Sequence, residues 1–133
     1  MSTTVHAYFD GINAERYDDV GALFAPEGVL VAPGVSPRRG PSEVADYFRA
    51  ALARYPEHYD DPTRIIDAGS TVTVEIHFTG RLENGQPLEF DAVDVFDLDG
   101  EGRIVRVSSW YDSHAVRKAL RTTLEADGRA AAR

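Results

Sequence analysis

The sequence predicts an α+β domain in which a curved antiparallel sheet wraps around three N-terminal helices and leaves a cone open at one end. Three observations carry this expectation. Val5, Tyr8, Phe9 and Ile12 stand at i, i+3, i+4 and i+7, the apolar stripe of an amphipathic helix. From Thr63 to Tyr111 the chain turns to runs rich in Val, Ile, Phe and Thr separated by turn signals, which is how strands read. Helices first and strands afterwards describe an arrangement in which the sheet covers the apolar helix faces.

Element by element, Ser2, Thr3 and Thr4 precede the first stripe as candidate N-caps. Tyr17, Val20, Leu23 and Phe24 form a second short stripe that Pro26 and Gly28 end. Val29 to Val31 is a short β-branched stretch, and Pro33, Gly34, Pro37 and Gly40 then mark a loop. A third helix opens with Pro41 in its first turn, buries Val44, Tyr47, Phe48, Ala51, Leu52 and Tyr55, and stops at Pro56. Strands are expected over 63–68, 70–82, 88–98 and 103–111, with a last helical turn through Val116 and Leu120. One domain over 1–121 and a polar, flexible tail over 122–133 complete the organisation.

Composition narrows the function classes. The net charge of −8 and the lack of any Lys/Arg cluster weigh against nucleic acid and anionic membrane as partners. With no cysteine, disulfides, thiolate nucleophiles and Cys-ligated metals are excluded. His58 and His114 have no ligand partners at metal spacing, and no glycine-rich phosphate loop follows a strand, so neither metal nor cofactor is expected. No apolar run has the roughly 20 residues of a membrane helix, and a cytoplasmic location is the expectation.

Asn84-Gly85 is the strongest hairpin signal in the chain. Taken as a two-residue loop, it pairs Glu83 with Gln86, Thr79 with Phe90, His77 with Ala92 and Glu75 with Asp94. One face then carries Glu75, His77, Thr79, Phe90, Ala92, Asp94 and Phe96, and the other Val74, Ile76, Phe78, Asp91, Val93 and Val95. Pairing Asp94 with Val107 on the next strand adds Val105, Val107, Ser109 and Tyr111 to the first face, and a one-residue bulge inverts the assignment. The pattern leaves open whether the mixed face lines a cavity or whether the apolar face of Val74, Ile76 and Val93 is the core. If the mixed face points inward, the apolar face becomes the expected surface of a homodimer.

The order of elements, together with Asn84-Gly85-Gln86-Pro87, Asp91-Ala92-Val93-Asp94-Val95-Phe96 and Gly102-Arg103-Ile104, resembles the nuclear transport factor 2-like superfamily, in particular ketosteroid isomerases and SnoaL-like polyketide cyclases. The likeness covers roughly residues 5–121. It implies a cystatin-like α+β barrel whose cavity is lined from the strands by His77, Phe90, Ala92, Asp94, Val107, Ser109 and Tyr111, with Tyr47 on the helix side. It further implies that Asp94 is a protonated oxyanion-hole donor and that Tyr8 is its tyrosine partner. The family's general-base aspartate falls on Ala32 of Ala32-Pro33, a departure that leaves ordinary isomerase chemistry without its base.

His77 is the replacement this reading supplies, because an imidazole with a pKa of about 6.5 suits proton transfer near neutrality. Glu75 opposite Asp94 allows the pair to share a proton. Asp112 follows the last strand, where SnoaL-like proteins often keep an acid near the pocket. The expected function is therefore a cofactor-independent proton-transfer enzyme, a cyclase or isomerase, acting on a hydrophobic carbonyl-bearing small molecule such as a polyketide or steroid-like compound. His77, Asp94 and Tyr8 are its candidate catalytic groups, and Glu75, Tyr47, Phe90, Ser109, Tyr111 and Asp112 contact the substrate. A non-catalytic small-molecule-binding or dimerisation module of the same fold is the alternative. Epoxide hydrolysis needs an arginine between acids, and Arg81 at the hairpin end fits that poorly.

Overall fold

In the computed structural model, which describes residues 2–121, the first stripe forms α1 (Thr3–Asn13). The Ser2 hydroxyl accepts from the Val5 N–H at 3.4 Å and so satisfies one of the unpaired donors of the first turn. The second helix is shorter than its stripe: α2 covers Tyr17–Gly21, and Phe24 already begins β1 (Phe24–Ala32). The expected loop after Ala32 is instead a hairpin. Ala32 pairs with Val35 across Pro33-Gly34, Gly34 takes φ +70°, and β2 (Val35–Arg39) runs antiparallel to β1. Pro37 fits there because β2 is an edge strand with one free row of hydrogen-bonding groups.

Helix α3 (Gly40–Leu52) opens with Pro41 in its first turn and ends at Ala53, so Tyr55 lies beyond it yet remains buried. Next comes β3, Glu57–Asp67, which starts six residues before the Thr63 expected as its first. Pro62 is accommodated at a register shift on this second edge strand. Strands β4 (Thr71–Arg81), β5 (Pro87–Leu98) and β6 (Ile104–Tyr111) follow, and residues 113–121 are helical. The expected tail over 122–133 lies outside the described residues.

The six strands form one curved, unclosed sheet in the order β2-β1-β6-β5-β4-β3. It is mixed rather than wholly antiparallel: β1 and β6 are parallel, the intervening chain supplying the long crossover that a parallel pair needs. Val5, Tyr8, Phe9 and Ile12 of α1, with Val20 and Val44, pack against Val72, Val74, Phe96 and Val107 of the sheet. Burying each such side chain contributes roughly 1.5–3 kcal/mol.

The β4–β5 register departs from expectation by one residue. Leu82 donates to the Gln86 carbonyl and Gly85 donates to the Leu82 carbonyl, both at 2.9 Å, so the loop is Glu83-Asn84-Gly85. Gly85 alone takes the left-handed conformation, at φ +86°. A three-residue loop closed by a left-handed glycine adds a bulge that the two-residue turn lacks. Val74 therefore pairs with Asp94, Ile76 with Ala92 and Phe78 with Phe90, while Glu75 faces Val93 and His77 faces Asp91. Val74 and Ile76 turn into the core with Asp94, which removes them from any dimer surface; Val93 lies on the opposite face beside the half-exposed Trp110.

Between β5 and β6, Asp94 pairs with Ser109 instead of Val107. A slip of two residues preserves the face, so Val107, Ser109 and Tyr111 stay with Asp94 as expected. Val105 does not, because an irregularity between Asp97 and Leu98 turns it outward.

Helices α2 and α3 touch so closely at Gly21 that a Cβ there overlaps the Pro41 carbonyl oxygen. Gly21→Ala is expected to cost about 2 kcal/mol or more by forcing the two helices apart. Chemical denaturation measures this, and a midpoint equal to that of the parent chain contradicts it.

Candidate functional site

The inner face of the curved sheet and the three helices enclose a cavity of about 310 Å³. Tyr8 enters it from α1, Tyr47 from α3, Asp60 from β3, Phe90 and Asp94 from β5, and Ser109 and Tyr111 from β6. Val116 and Leu120 of the terminal helical segment and Ala32 at the end of β1 complete the wall. A larger groove of about 650 Å³ lies at the hairpin end of β3, β4 and β5, but exposed Glu57, Tyr59, Thr79, Arg81 and Glu89 line it, and it is an open surface. Among the described residues no group of three or more His, Asp or Glu side chains converges to hold a metal.

Asp94 is the centre of the arrangement. It is 5% exposed and surrounded by the apolar partners its strand position dictates, Val74 across the ladder and Phe96 two residues on. Burial pushes its carboxyl up to about 7; a Ser109 hydrogen bond works in the other direction, and the Asp60 charge adds to the rise. Its Oδ1 has no hydrogen-bond partner in the protein. A buried carboxyl oxygen left unpaired is costly unless something else satisfies it, and inside a cavity a ligand can do so.

Tyr8 is held rigidly. Its ring makes edge-to-face contacts with Phe9, Phe48 and Phe96 at centroid distances of 5.1, 5.8 and 4.9 Å. Burial first, and the Asp94 charge second, raise its phenol well above the ordinary value, so it is a neutral hydrogen-bond donor. Tyr47 is likewise raised by burial to about 12, and the neighbouring Tyr111 adds to the rise. Phe90 stacks on Phe78 at 4.7 Å and leans on Tyr111 at 5.2 Å, giving one wall a continuous aromatic surface.

Asp60 is the site residue that sequence reasoning misses. It pairs with Phe78 and reaches inward from the edge strand, so the residue as a whole is half-buried while its carboxyl is almost wholly enclosed. Burial raises the carboxyl to about 6. Asn13, the last residue of α1, clamps the Asp60 backbone, its amide donating to the Asp60 carbonyl at 2.9 Å and accepting from the Asp60 N–H at 2.8 Å. The segment Tyr59-Asp60-Asp61-Pro62 has no apolar alternation to mark a strand. Its one available signal is indirect: once Phe78 faces the core, so does whatever pairs with it.

Three expected site residues lie elsewhere. His77 stands on the outer face, its Nδ1 2.8 Å from Asp91 and its Nε2 3.3 Å from Glu89. The Asp91 hydrogen bond, then that of Glu89, raises its pKa in a solvent-exposed cluster. Glu75 is on the same outer face and forms an ion pair with Arg64 at 3.0 Å. A two-residue loop would turn both inward; the third loop residue turns them out. Asp112 is exposed and accepts from the Ala115 N–H at 3.1 Å, capping the terminal helical segment.

Fold and cavity together define a small α+β cone with a largely apolar chamber, two enclosed carboxyls and four tyrosines. A family model described as SnoaL-like domain matches residues 5–107, and the chain belongs to that family. No functionally curated protein matches it. Among solved structures, the chain is similar to an LEH-like epoxide hydrolase of Mycobacterium tuberculosis, with 25% identity over 94% of this chain and 92% of the other at a TM-score of 0.74. A putative polyketide cyclase of Sinorhizobium meliloti shares 23% identity over 83% and 95%, with a TM-score of 0.69. A ketosteroid isomerase-like fold protein of Catenulispora acidiphila, solved in complex with trimethylamine, shares 20% over 83% and 85%, with a TM-score of 0.76.

The two buried carboxyls set the pH dependence of stability. Both have folded-state values, about 7 for Asp94 and about 6 for Asp60, above the value of 3.8 of a solvated carboxyl. The native state thus holds more protons than the unfolded chain between pH 4 and 7, and stability falls as pH rises through that window. Asp94→Asn removes the larger share. The variant is expected to exceed the parent chain in stability at pH 8, on the order of 3 kcal/mol, and to match it near pH 4. Denaturation at the two pH values tests this, and parallel curves for the two proteins overturn it.

Proposed function

We propose that this chain is a cofactor-independent enzyme of proton transfer, a cyclase or isomerase, acting on a hydrophobic carbonyl-bearing small molecule. The observation that carries the reading is the buried, unpartnered Oδ1 of Asp94 in an apolar chamber that also holds Tyr8 and Asp60. Asp60, about 6, is largely ionised at neutral pH and is the base that takes a proton from the carbon beside the carbonyl. Asp94, about 7, retains its proton through much of the neutral range. Together with Tyr8 it donates to the enolate oxygen as charge develops there, and Asp60 returns the proton at the new position. Preformed donors of this kind supply several kcal/mol of transition-state stabilisation in a water-poor site.

This assignment moves the base from His77, which faces solvent with Asp91 and Glu89, to Asp60. Family membership and the similar putative polyketide cyclase support the reaction class, and the trimethylamine held by a similar fold supports a small-molecule occupant. A second reading, a binding module without catalysis, draws support from Ala32, which fills the position where the isomerases carry their base. Epoxide hydrolysis is less well supported, since burial, Ser109 and Asp60 account for the titration of the two acids and no arginine contributes.

Exchange of the hydrogens beside the carbonyl of a bicyclic ketone such as 1-tetralone, followed in deuterium oxide by NMR, tests proton transfer whatever the natural product is. The parent chain is expected to accelerate exchange with a bell-shaped pH profile whose limbs fall near 6, where Asp60 must ionise, and near 7, where Asp94 must keep its proton. Asp60→Asn and Asp94→Ala are each expected to lower the rate by about two orders of magnitude or more. Equal rates in Asp60→Asn and the parent chain overturn the enzyme reading in favour of the binding module.

A further inference from the structure

The cavity is acidic inside and basic at its rim. Asp60 and Asp94 are the only acids that line it among the described residues, and both carboxyls are enclosed. Around it stand three arginines from three different elements. Arg54, just past α3, lines the cavity. Arg38 of β2 lies over the Tyr47 ring, 5.6 Å from its centroid. Arg117 of the terminal helical segment reaches the β1–β2 turn, its Nη1 3.0 Å from where a Cβ on Gly34 would sit.

Each of these arginines acts on a different cavity tyrosine. Burial raises the phenols of Tyr47, Tyr55 and Tyr111, and the opposing influence is Arg38, Arg54 and Arg117 respectively. Among the described residues Arg16, Arg49, Arg64, Arg81 and Arg103 form ion pairs with carboxylates, whereas Arg38, Arg54 and Arg117 form none, as is also true of Arg39, Arg106 and Arg121; of these six, only Arg38, Arg54 and Arg117 bear on the cavity tyrosines. Arg38 donates to the Ser36 carbonyl at 2.8 Å. Nearby acids are engaged elsewhere: Asp46 holds Arg49 at 2.9 Å and Glu43 accepts from the Arg39 N–H at 3.3 Å. In a chain of net charge −8, three arginines that have no carboxylate partner among the described residues place positive charge around one opening.

We propose that the ligand of this cavity is an anion, a small ring compound whose carboxylate is held at the mouth by Arg38, Arg54 and Arg117 while its carbonyl end points to Tyr8 and Asp94. The proposal rests on the proton-transfer reading of the cavity and adds the substrate class to it. The orientation follows from charge, because ionised Asp60 repels a carboxylate from the inner end and three guanidinium groups without carboxylate partners among the described residues attract it at the outer one. Size agrees with a ring compound: at the interior packing density of roughly 0.74, a cavity of 310 Å³ accommodates about 230 Å³ of van der Waals volume, on the order of a two- or three-ring skeleton.

Calorimetric titration with 6-hydroxy-2-naphthoate, its homologues with one or two methylenes before the carboxylate, and the matching neutral amides tests this. The phenol end addresses Tyr8 and Asp94 in both series, and only the acids address the arginines. The best acid is expected to bind roughly tenfold more tightly than its amide at low salt. That gap is expected to narrow at 0.5 M salt and to close in the Arg38→Gln/Arg54→Gln/Arg117→Gln variant, whose amide affinity stays that of the parent chain. Acids that bind no better than their amides, or a gap that survives salt or the triple substitution, overturn the proposal. Salt dependence in the parent chain is decisive even where the triple variant does not fold. Amide binding that ignores Asp94→Asn overturns the proton-transfer reading separately, and failure of every compound to bind overturns both.

Discussion

The parity of the β4–β5 pairing decides what this molecule can do, and a single glycine sets it. Gly85, at φ +86°, closes a three-residue loop and shifts the register by one from what a two-residue turn imposes. Because side chains alternate along a strand, that one residue determines which of two sets faces the helices. In the observed register Asp94 shares its face with Val74, Ile76, Phe78, Ala92 and Phe96, and His77 shares the other with Asp91 and Glu89. The imidazole is thereby given to a solvated charge cluster, and the carboxyl to an apolar chamber. The same shift supplies Val74 and Ile76 to the core, so packing energy and site formation favour one register together.

Burying Asp94 runs against stability, and the surrounding structure offsets that cost without removing it. One hydrogen bond from Ser109 stabilises the charged form, while Oδ1 stays unpaired and the Asp60 charge opposes ionisation. An ordinary core has an apolar residue here; a site that must present a proton to a ligand has a reason to keep the acid. Helix α1 carries both remaining requirements. Its buried stripe places Tyr8 among Phe9, Phe48 and Phe96, and its last residue, Asn13, fixes the Asp60 backbone with two hydrogen bonds. One helix thus fixes both a tyrosine and a carboxyl of the chamber.

Much of this is legible in the residues and some of it is not. The α1 stripe, the Ser2 cap, the helices-then-strands order and the strand positions of Phe90, Ser109 and Tyr111 follow from periodicity and resemblance, and the structure agrees. Local rules fail where two turn chemistries share one signature. Asn84-Gly85 fits a two-residue loop as well as the last two positions of a three-residue one, and only tertiary packing distinguishes them. His77 and Glu75 fall on the wrong face of the expected sheet for that reason alone. Edge strands are the other blind spot: β2 contains Pro37 and β3 contains Pro62, and each reads as a loop until a neighbour satisfies its one bonded side. Asp60 is hidden by the second of these, since a polar run ending in proline carries no inward-facing pattern of its own.

In the proposed reaction, two aspartates in one chamber divide acid and base roles by depth rather than by residue type. Asp94, on a central strand between Val74 and Ser109, is the more deeply buried and retains its proton to about 7; Asp60, on the edge strand, ionises near 6. Their coupling gives the proposed reaction a direction. While Asp60 is ionised, its charge helps keep the proton on Asp94, so the state able to abstract a proton is also the state in which the oxyanion donor is intact. Once Asp60 takes the substrate proton, that charge is gone and Asp94 holds its own proton less tightly. Its hydrogen bond to the developing oxygen strengthens just as charge accumulates there. A histidine base lacks this property, because protonation of an imidazole creates a positive charge where protonation of Asp60 removes a negative one. Ala32 stands where the resemblance to ketosteroid isomerases places a base, and in the proposed reaction its part is taken by an acid on a different strand that couples electrostatically to Asp94.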